Sequence, residues 1–280
     1  MRGVEFVKGH GTENDFVVLP DVDGELDLTE ARVRALCDRH SGLGADGVLR
    51  VVRASALPAS PSDVDPDAWF MDYRNADGSI AEMCGNGVRV FARYLVAAGL
   101  SRAGEFVVGT RSGPRPVVVH DDGSVTVHMG RTKVYGESTA TIGATVFQGV
   151  AVDVGNPHLA CVIDTDPGAI DLAVPPTYDA TLFPQGVNVE LVREVRPNEL
   201  RMRVYERGVG ETRSCGTGTV AALAAALHRR GETTGESTVD VPGGRVRVTI
   251  EESGATLSGP AVLGARGRLD AAWWRQADDR

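Results

Sequence analysis

Several short stretches, among them 105–108, 116–120, 124–128, 201–205 and 245–250, carry β-branched residues and often alternate polar and apolar positions with a period of two. Such alternation predicts half-buried strands. Turn signals punctuate them: Asn75-Ala76-Asp77-Gly78, Asp121-Asp122-Gly123 and Pro242-Gly243-Gly244. Helical spacing is rarer and predicts helices over 29–39, 88–98 and 219–230. In the second of these the apolar positions Val88, Phe91, Ala92 and Leu95 define one face, and Gly99 follows as a helix stop. The third is apolar nearly all round from Val220 to Leu227, which predicts burial; His228, Arg229 and Arg230 then suit its C-terminal dipole before Gly231. The balance is an α+β protein with mainly antiparallel sheet.

The pattern also repeats. Met83-Cys-Gly-Asn-Gly-Val-Arg-Val-Phe-Ala-Arg-Tyr-Leu95 matches Ser214-Cys-Gly-Thr-Gly-Thr-Val-Ala-Ala-Leu-Ala-Ala-Ala226, each a C-G-x-G turn followed by a helix. Cys84 and Cys215 are 131 positions apart (215 − 84), and the same offset carries Asn75 onto Glu206 and Ser112-Gly113 onto Gly243-Gly244. The expectation is two pseudo-symmetric halves, each a mostly antiparallel sheet wrapped around a central helix. The boundary falls near Gly130, giving 1–129 and 130–258, with the tail 259–280 returning to the first half.

Composition narrows the function. The 280 residues, 42% hydrophobic and 24% charged, suffice for a large core, and a net charge of −9 with no basic patch argues against nucleic-acid binding. The start, Met-Arg-Gly-Val-Glu-Phe-Val-Lys, lacks the apolar core of a signal peptide, and no apolar run is long enough to span a bilayer, so a cytoplasmic protein without a membrane partner is expected. Four cysteines without a C-x-x-C pair suggest neither a disulfide framework nor a zinc site, and the six histidines show no metal-ligand spacing. Cys37 and Cys161 sit in apolar patterns and are read as core residues. Gly42-Leu-Gly44-Ala-Asp-Gly47 satisfies G-x-G-x-x-G, but it follows a helix and precedes the strand-like 48–52. A dinucleotide fingerprint has the reverse context, so this one is read as a helix end and turn.

Cys84 and Cys215 therefore stand out, each at a helix N-terminus. Free backbone N–H groups and the positive end of the dipole lower a thiol's pKa there and suit a carboxylate. Two such turns serving one substrate would clamp its α-carboxylate and offer a sulfur to each side of its α-carbon. One thiolate would remove the α-proton and the other thiol return one, as racemisation or epimerisation requires. With no Schiff-base or ligand motif in view, preorganised dipoles must hold the carbanion's charge, so no cofactor or metal is expected. Two activated thiols serving one carbon would also be open to oxidation into a Cys84–Cys215 disulfide.

Six motifs together resemble the diaminopimelate epimerase family over essentially the full length. They are Lys8-Gly-His-Gly-Thr-Glu-Asn14-Asp-Phe16, Tyr73-Arg-Asn75-Ala-Asp-Gly-Ser79, Met83-Cys84-Gly-Asn86-Gly87, Gly155-Asn156-Pro-His158, Val187-Asn188-Val-Glu190 and the run from Arg203 through Glu206 and Arg207 to Cys215-Gly-Thr217-Gly218. The resemblance implies an active site in the cleft between the halves. It also implies a homodimer and conversion of LL- to meso-diaminopimelate on the bacterial route to lysine and peptidoglycan. Residue by residue it implies Cys84 and Cys215 as the bases, and Gly85, Asn86, Gly216 and Thr217 as backbone donors to the reacting carboxylate. Glu206 would receive the α-ammonium, Asn14, Asn75, Asn156, Asn188 and Arg207 the distal end, and His158 and Glu206 would tune the cysteines. Arg207 offers a planar fork that fits a carboxylate. Gly47 departs from members with a substrate-contacting Gln there, and Thr217 from those with Ser, a change of little weight if only its N–H is used. Rival readings are a cysteine-pair racemase for another amino acid, a cysteine hydrolase using His158 or His10 as base, and a non-catalytic amino-acid binder.

Overall fold

The computed structural model describes residues 3–57 and 60–279. Its chain divides into two compact units, Met1–Val127 with Pro260–Arg280, and His128–Gly259.

In the first unit the strands are β1 (Glu5–Gly11), β2 (Asn14–Pro20), β3 (Gly47–Arg53), β4 (Trp69–Asn75), β5 (Gly104–Thr110), β6 (Gly113–Val119) and β7 (Val125–Gly130). The last strand of the chain, Val262–Arg268, pairs antiparallel with β1, which pairs antiparallel with β2. From there the sheet runs β2 parallel to β3, β3 antiparallel to β4, β4 touching β5 in parallel at Phe70 and Gly109, then antiparallel through β6 to β7. Helix α1 (Glu30–Cys37) starts from a Thr29 cap and stops two residues short of the expected 39, because the Asp38 carboxylate accepts from the His40 and Ser41 N–H groups and turns the chain. Gly44, at φ +69°, lies in the turn that follows and leads into β3, so the glycine-rich run has the structure read from its context.

Helix α2 (Gly85–Ala97) is the centre of this unit and packs against β1, β2, β3, β4, β6 and the final strand. Burial exceeds the single face expected, since Gly85 through Ala92 are all buried. It ends as a Schellman motif: Gly99 is at φ +70°, its N–H donates to the Val96 carbonyl, and the Leu100 N–H donates to the Leu95 carbonyl at 2.8 Å.

The second unit holds β8 (Lys133–Ile142), β9 (Thr145–Asp153), β10 (Pro157–Val162), β11 (Thr177–Tyr178), β12 (Asn188–Arg196), β13 (Glu199–Glu206), β14 (Gly210–Thr212), β15 (Gly235–Val241), β16 (Gly244–Glu251) and β17 (Gly254–Gly259). The final strand of the chain is thus β18, and the short helix Ala271–Gln276 is α4. Within this unit β10 is parallel to β12, β12 antiparallel to β13, β13 parallel to β15, and β15 to β17 antiparallel. That succession of senses repeats the one from β2 to β7. An offset of 131 carries β5 residue for residue onto β15. Helix α3 (Gly216–Arg229) occupies the place of α2 and is buried on every side from Gly218 to Leu227, as its all-round apolar pattern requires.

Candidate active site

Cys84 and Cys215 are the N-caps of α2 and α3. Each has extended backbone, φ −145° and −122°, because a cap residue precedes the helix while its carbonyl takes the first helical hydrogen bond. The glycines that follow keep the first turn bare.

Around Cys84 the polar groups form one cluster. Its sulfur accepts from the Gly87 N–H at 3.4 Å, and its thiol points to the Asn14 Oδ1 at 3.6 Å. Asn14 Oδ1 also accepts from the Asn86 amide at 3.2 Å, while its own amide donates to Asp46 at 2.8 Å. Asn14 is carried there by the tight β1–β2 hairpin, whose two turn residues Thr12 and Glu13 have φ of +49° and +62°. Both being left-handed, they make the turn that matches strand twist, at a steric cost for a β-branched threonine. The buried Thr12 side chain is anchored by Arg89, whose Nη2 donates to its hydroxyl at 3.1 Å. Asn75 stands apart from these bonds and closes its own turn, its amide donating to Ser79 Oγ at 3.0 Å. It pairs across the sheet with Gly47, where a Cβ would lie 2.5 Å from the Arg74 carbonyl oxygen, so a side chain at 47 requires the backbone to shift.

Cys215 has a different setting. It is 6% exposed, and its sulfur lies 3.5 Å from the Thr217 hydroxyl, so Thr217 offers the site its side chain as well as its N–H. Behind it two strands supply carboxylates. Glu190 of β12 is fully buried and its carboxyl oxygen is hydrogen-bonded to His158 Nδ1 at 2.6 Å, and His158 Nε2 lies 3.0 Å from Asn156 Oδ1. Glu206, at the end of β13, accepts a short hydrogen bond from the Thr212 hydroxyl. Asn188 Oδ1 accepts from the Arg207 N–H at 2.9 Å, and the exposed Arg207 guanidinium donates to the Gln185 carbonyl at 2.9 Å. Both ring nitrogens of His158 are occupied by Asn156 and Glu190, which leaves a hydrolase reading without that base at Cys215.

The expected depression of both thiol pKa values fails at Cys215, which is raised well above the ordinary thiol value by burial first and then by the Glu206 and Glu190 charges. The helix-terminus rule sees only the local dipole; desolvation and two carboxylates from other strands outweigh it. Burial likewise raises Glu190, opposed by its bond to His158. Cys37 and Cys161 are buried and both pushed up to about 12 by desolvation, which suits core residues. Sequence reasoning gave no role to Arg89, Thr12 or Glu190. The signal for Arg89 was present as a charge between Val88 and Val90 in α2, where the repeat aligns it with Val220.

Among the described residues no group of three or more His, Cys, Asp or Glu side chains is arranged to hold a metal ion, and no helix is long and apolar enough to cross a membrane. A surface hollow bordered by Val162, Asp164, Arg193 and Arg229 lies at the C-terminal end of α3 and holds none of the side chains above.

Two α+β units, each with a cysteine capping its central helix, define a fold shared with solved epimerase structures. A hydroxyproline epimerase from Agrobacterium vitis, with trans-4-hydroxy-L-proline bound, superposes with TM-score 0.66 at 18% identity, covering 98% of this chain and 96% of that one. A predicted epimerase from Pseudomonas aeruginosa gives TM-score 0.68 at 16% identity over 96% of this chain and 99% of that one. At such identities the likeness is one of fold. Sequence goes further: the diaminopimelate epimerase family model matches residues 6–135 and 150–264. The diaminopimelate epimerase of Mycolicibacterium smegmatis is 58% identical over 96% of this chain and 98% of its own length, and that of Rhodococcus erythropolis 57% over 98% and 99%. The chain belongs to the diaminopimelate epimerase family and is an isomerase of the epimerase kind.

Proposed function

We propose that the protein interconverts LL- and meso-diaminopimelate without a cofactor, with Cys84 and Cys215 as the acid and base, in lysine and peptidoglycan synthesis. The observation that carries the mechanism is the duplicated cap: in each unit a cysteine begins the central helix, followed by a glycine-rich first turn. In this reading the N–H groups of Gly85, Asn86, Gly216 and Thr217 hold the reacting carboxylate. As the C–H bond breaks and an S–H bond forms, the growing charge passes to those donors. The second thiol then gives its proton to the opposite face of the α-carbon. Glu206 takes the α-ammonium, while Asn14, Asn75, Asn156, Asn188 and Arg207 hold the distal amino-acid end. His158 and Glu206 set the balance of the cysteines. The family membership supports a homodimer working in the cytoplasm.

The test is incubation of LL-diaminopimelate with dialysed protein in deuterated water and chelator, followed by chiral analysis. Meso product carrying deuterium at the inverted carbon is expected. Exchange without inversion, a requirement for pyridoxal phosphate or metal, or turnover of another amino acid in preference would overturn the reading.

A further inference from the structure

Arg89 is fully buried, within the second turn of α2 beyond Cys84. Its Nη2 donates to the Thr12 hydroxyl, but its Nε and Nη1 are buried with no hydrogen-bond partner. The guanidinium folds back toward the start of its helix: a Cβ built on Gly11 would stand 2.9 Å from Arg89 Nη2 and 3.1 Å from the Asn86 carbonyl oxygen. Gly11 leaves the space in which the cation reaches the first turn below Cys84.

Among the described residues of the elements packed against α2, no carboxylate answers this charge. On the elements packed against α2, Glu5 of β1 pairs with Arg268, Asp15 of β2 with Lys8 and Arg39, and Asp72 of β4 with Arg50, Arg74 and Arg111. The other charged side chains of those elements are cations, Arg53 on β3, Arg115 on β6 and Arg266 on β18, and His10 Nδ1 accepts from the Glu13 N–H. Burial pulls Arg89 down to about 10, and the charge opposing that pull is Cys84. A guanidinium so placed stays protonated at neutral pH, and a buried ion without a counter-ion is strongly unfavourable.

We propose that the Cys84 thiolate is the missing counter-ion, and that Arg89 is a positioning residue that stabilises this thiolate electrostatically. The inference rests on the two-cysteine reading for its consequence in turnover but not for its test. In the second unit Val220 takes the place of Arg89, and carboxylates stand near the sulfur instead. Arg89 therefore makes the two thiols unequal.

The rate of Cys84 carbamidomethylation by iodoacetamide, read by peptide mapping against pH, measures the thiolate directly. In Arg89→Met the midpoint should move up by about one unit or more, with Arg89→Lys staying nearer the wild type. kcat should fall in Arg89→Met with KM little changed. A folded Arg89→Met protein with an unmoved midpoint overturns the proposal. Should that variant fail to fold, four others decide. Cys84→Asp should melt above Cys84→Asn at neutral pH, whereas Cys215→Asp should melt below Cys215→Asn. Asp and Asn cap helices about equally, and the dipole favours an anion at both sites, so only the surroundings can reverse the sign. An Asp that destabilises relative to Asn at both positions overturns the proposal. Near wild-type epimerisation by Cys84→Ala, with the Arg89-dependent shift of the Cys84 midpoint intact, would instead count against the catalytic reading.

Discussion

Gly87 and Gly218 hold the same place in α2 and α3, yet a methyl group added at each would meet opposite chemistry. At Gly87 it would touch Leu49 at 3.3 Å, Cys84 Cβ at 3.4 Å and Phe16 at 3.5 Å. At Gly218 it would touch the Glu190 carboxyl oxygen at 2.9 Å, Cys215 Cβ at 3.2 Å and Cys215 Sγ at 3.4 Å. Register explains the correspondence. Phe16 pairs with Gly47 and Gly47 with Asn75 in the first unit, where His158 pairs with Asn188 and β12 leads on to Glu206 in the second. Leu49 and Phe16 thus stand where Glu190 and His158 stand. One backbone plan carries an apolar floor with a buried cation under the first cysteine, and a buried carboxyl–imidazole pair under the second. The fold repeats the cysteine-capped helix in each unit, while the side chains make the two cysteine sites chemically distinct.

The largest expected effect tests what the two sites share. Cys84→Ala and Cys215→Ala should each reduce epimerisation by about 10²–10⁴-fold, the usual weight of a positioned acid or base. Because the backbone donors remain, calorimetry should still detect substrate binding to both. Near wild-type turnover in either variant would make that cysteine structural and break the symmetric reading.

Next comes the difference between the floors. Glu190→Gln keeps the shape but removes the charge from the bond to His158, so urea unfolding at pH 7 should show a loss of about 2 kcal/mol, in the range for a charge-assisted hydrogen bond. The same change takes a negative neighbour from Cys215, so its thiolate should form at lower pH, visible in thiolate absorbance. If neither stability nor titration moves, the carboxyl–imidazole pair has no hold on the second cysteine.

The smallest effect compares the glycines themselves. Gly218→Ala should cost about 1–3 kcal/mol, since a methyl cannot enter beside the carboxyl without displacing it. Gly87→Ala meets the flexible end of Leu49, a ring edge and the Cys84 Cβ, none nearer than 3.3 Å, and the gain in helix propensity, up to about 1 kcal/mol, offsets much of the crowding. Equal costs in thermal melts would mean that the two floors are equally yielding.

Much of this was legible in the sequence where the repeat is free of insertions. From β4 through β6 in the first unit and β13 through β16 in the second the chain runs in step, so the offset of 131 found both cysteines, both helices and the glycines. Upstream the step breaks, because Gly47 and Asn188 are 141 positions apart (188 − 47). The difference lies in the long excursion 54–68 between β3 and β4, which β12 and β13 replace by a tight turn at Pro197 and Asn198. The alignment of Leu49 with Glu190 was therefore invisible until the strands were paired. The thiol expectation failed for the same reason: the helix terminus is local, whereas Glu190 and Glu206 reach Cys215 through strand pairing. Thr12 was hidden differently, since a threonine at positive φ goes against its own preference and only the anchored hairpin holds it there.

The pairing of β1 with β18 has a consequence for synthesis on the ribosome. Glu5 meets Arg268 and His10 meets Val262, so the first strand made waits for nearly the last before its outer edge is covered. The whole run 128–259 emerges in between and carries its own helix and sheet. At translation speeds of about 5–20 residues per second, that inserted unit has seconds in which to fold while β1 still presents a bare edge. Completion of the first unit thus waits on the synthesis of β18, and a chain truncated before Pro260 should leave the second unit foldable while β1 remains an open template for aggregation.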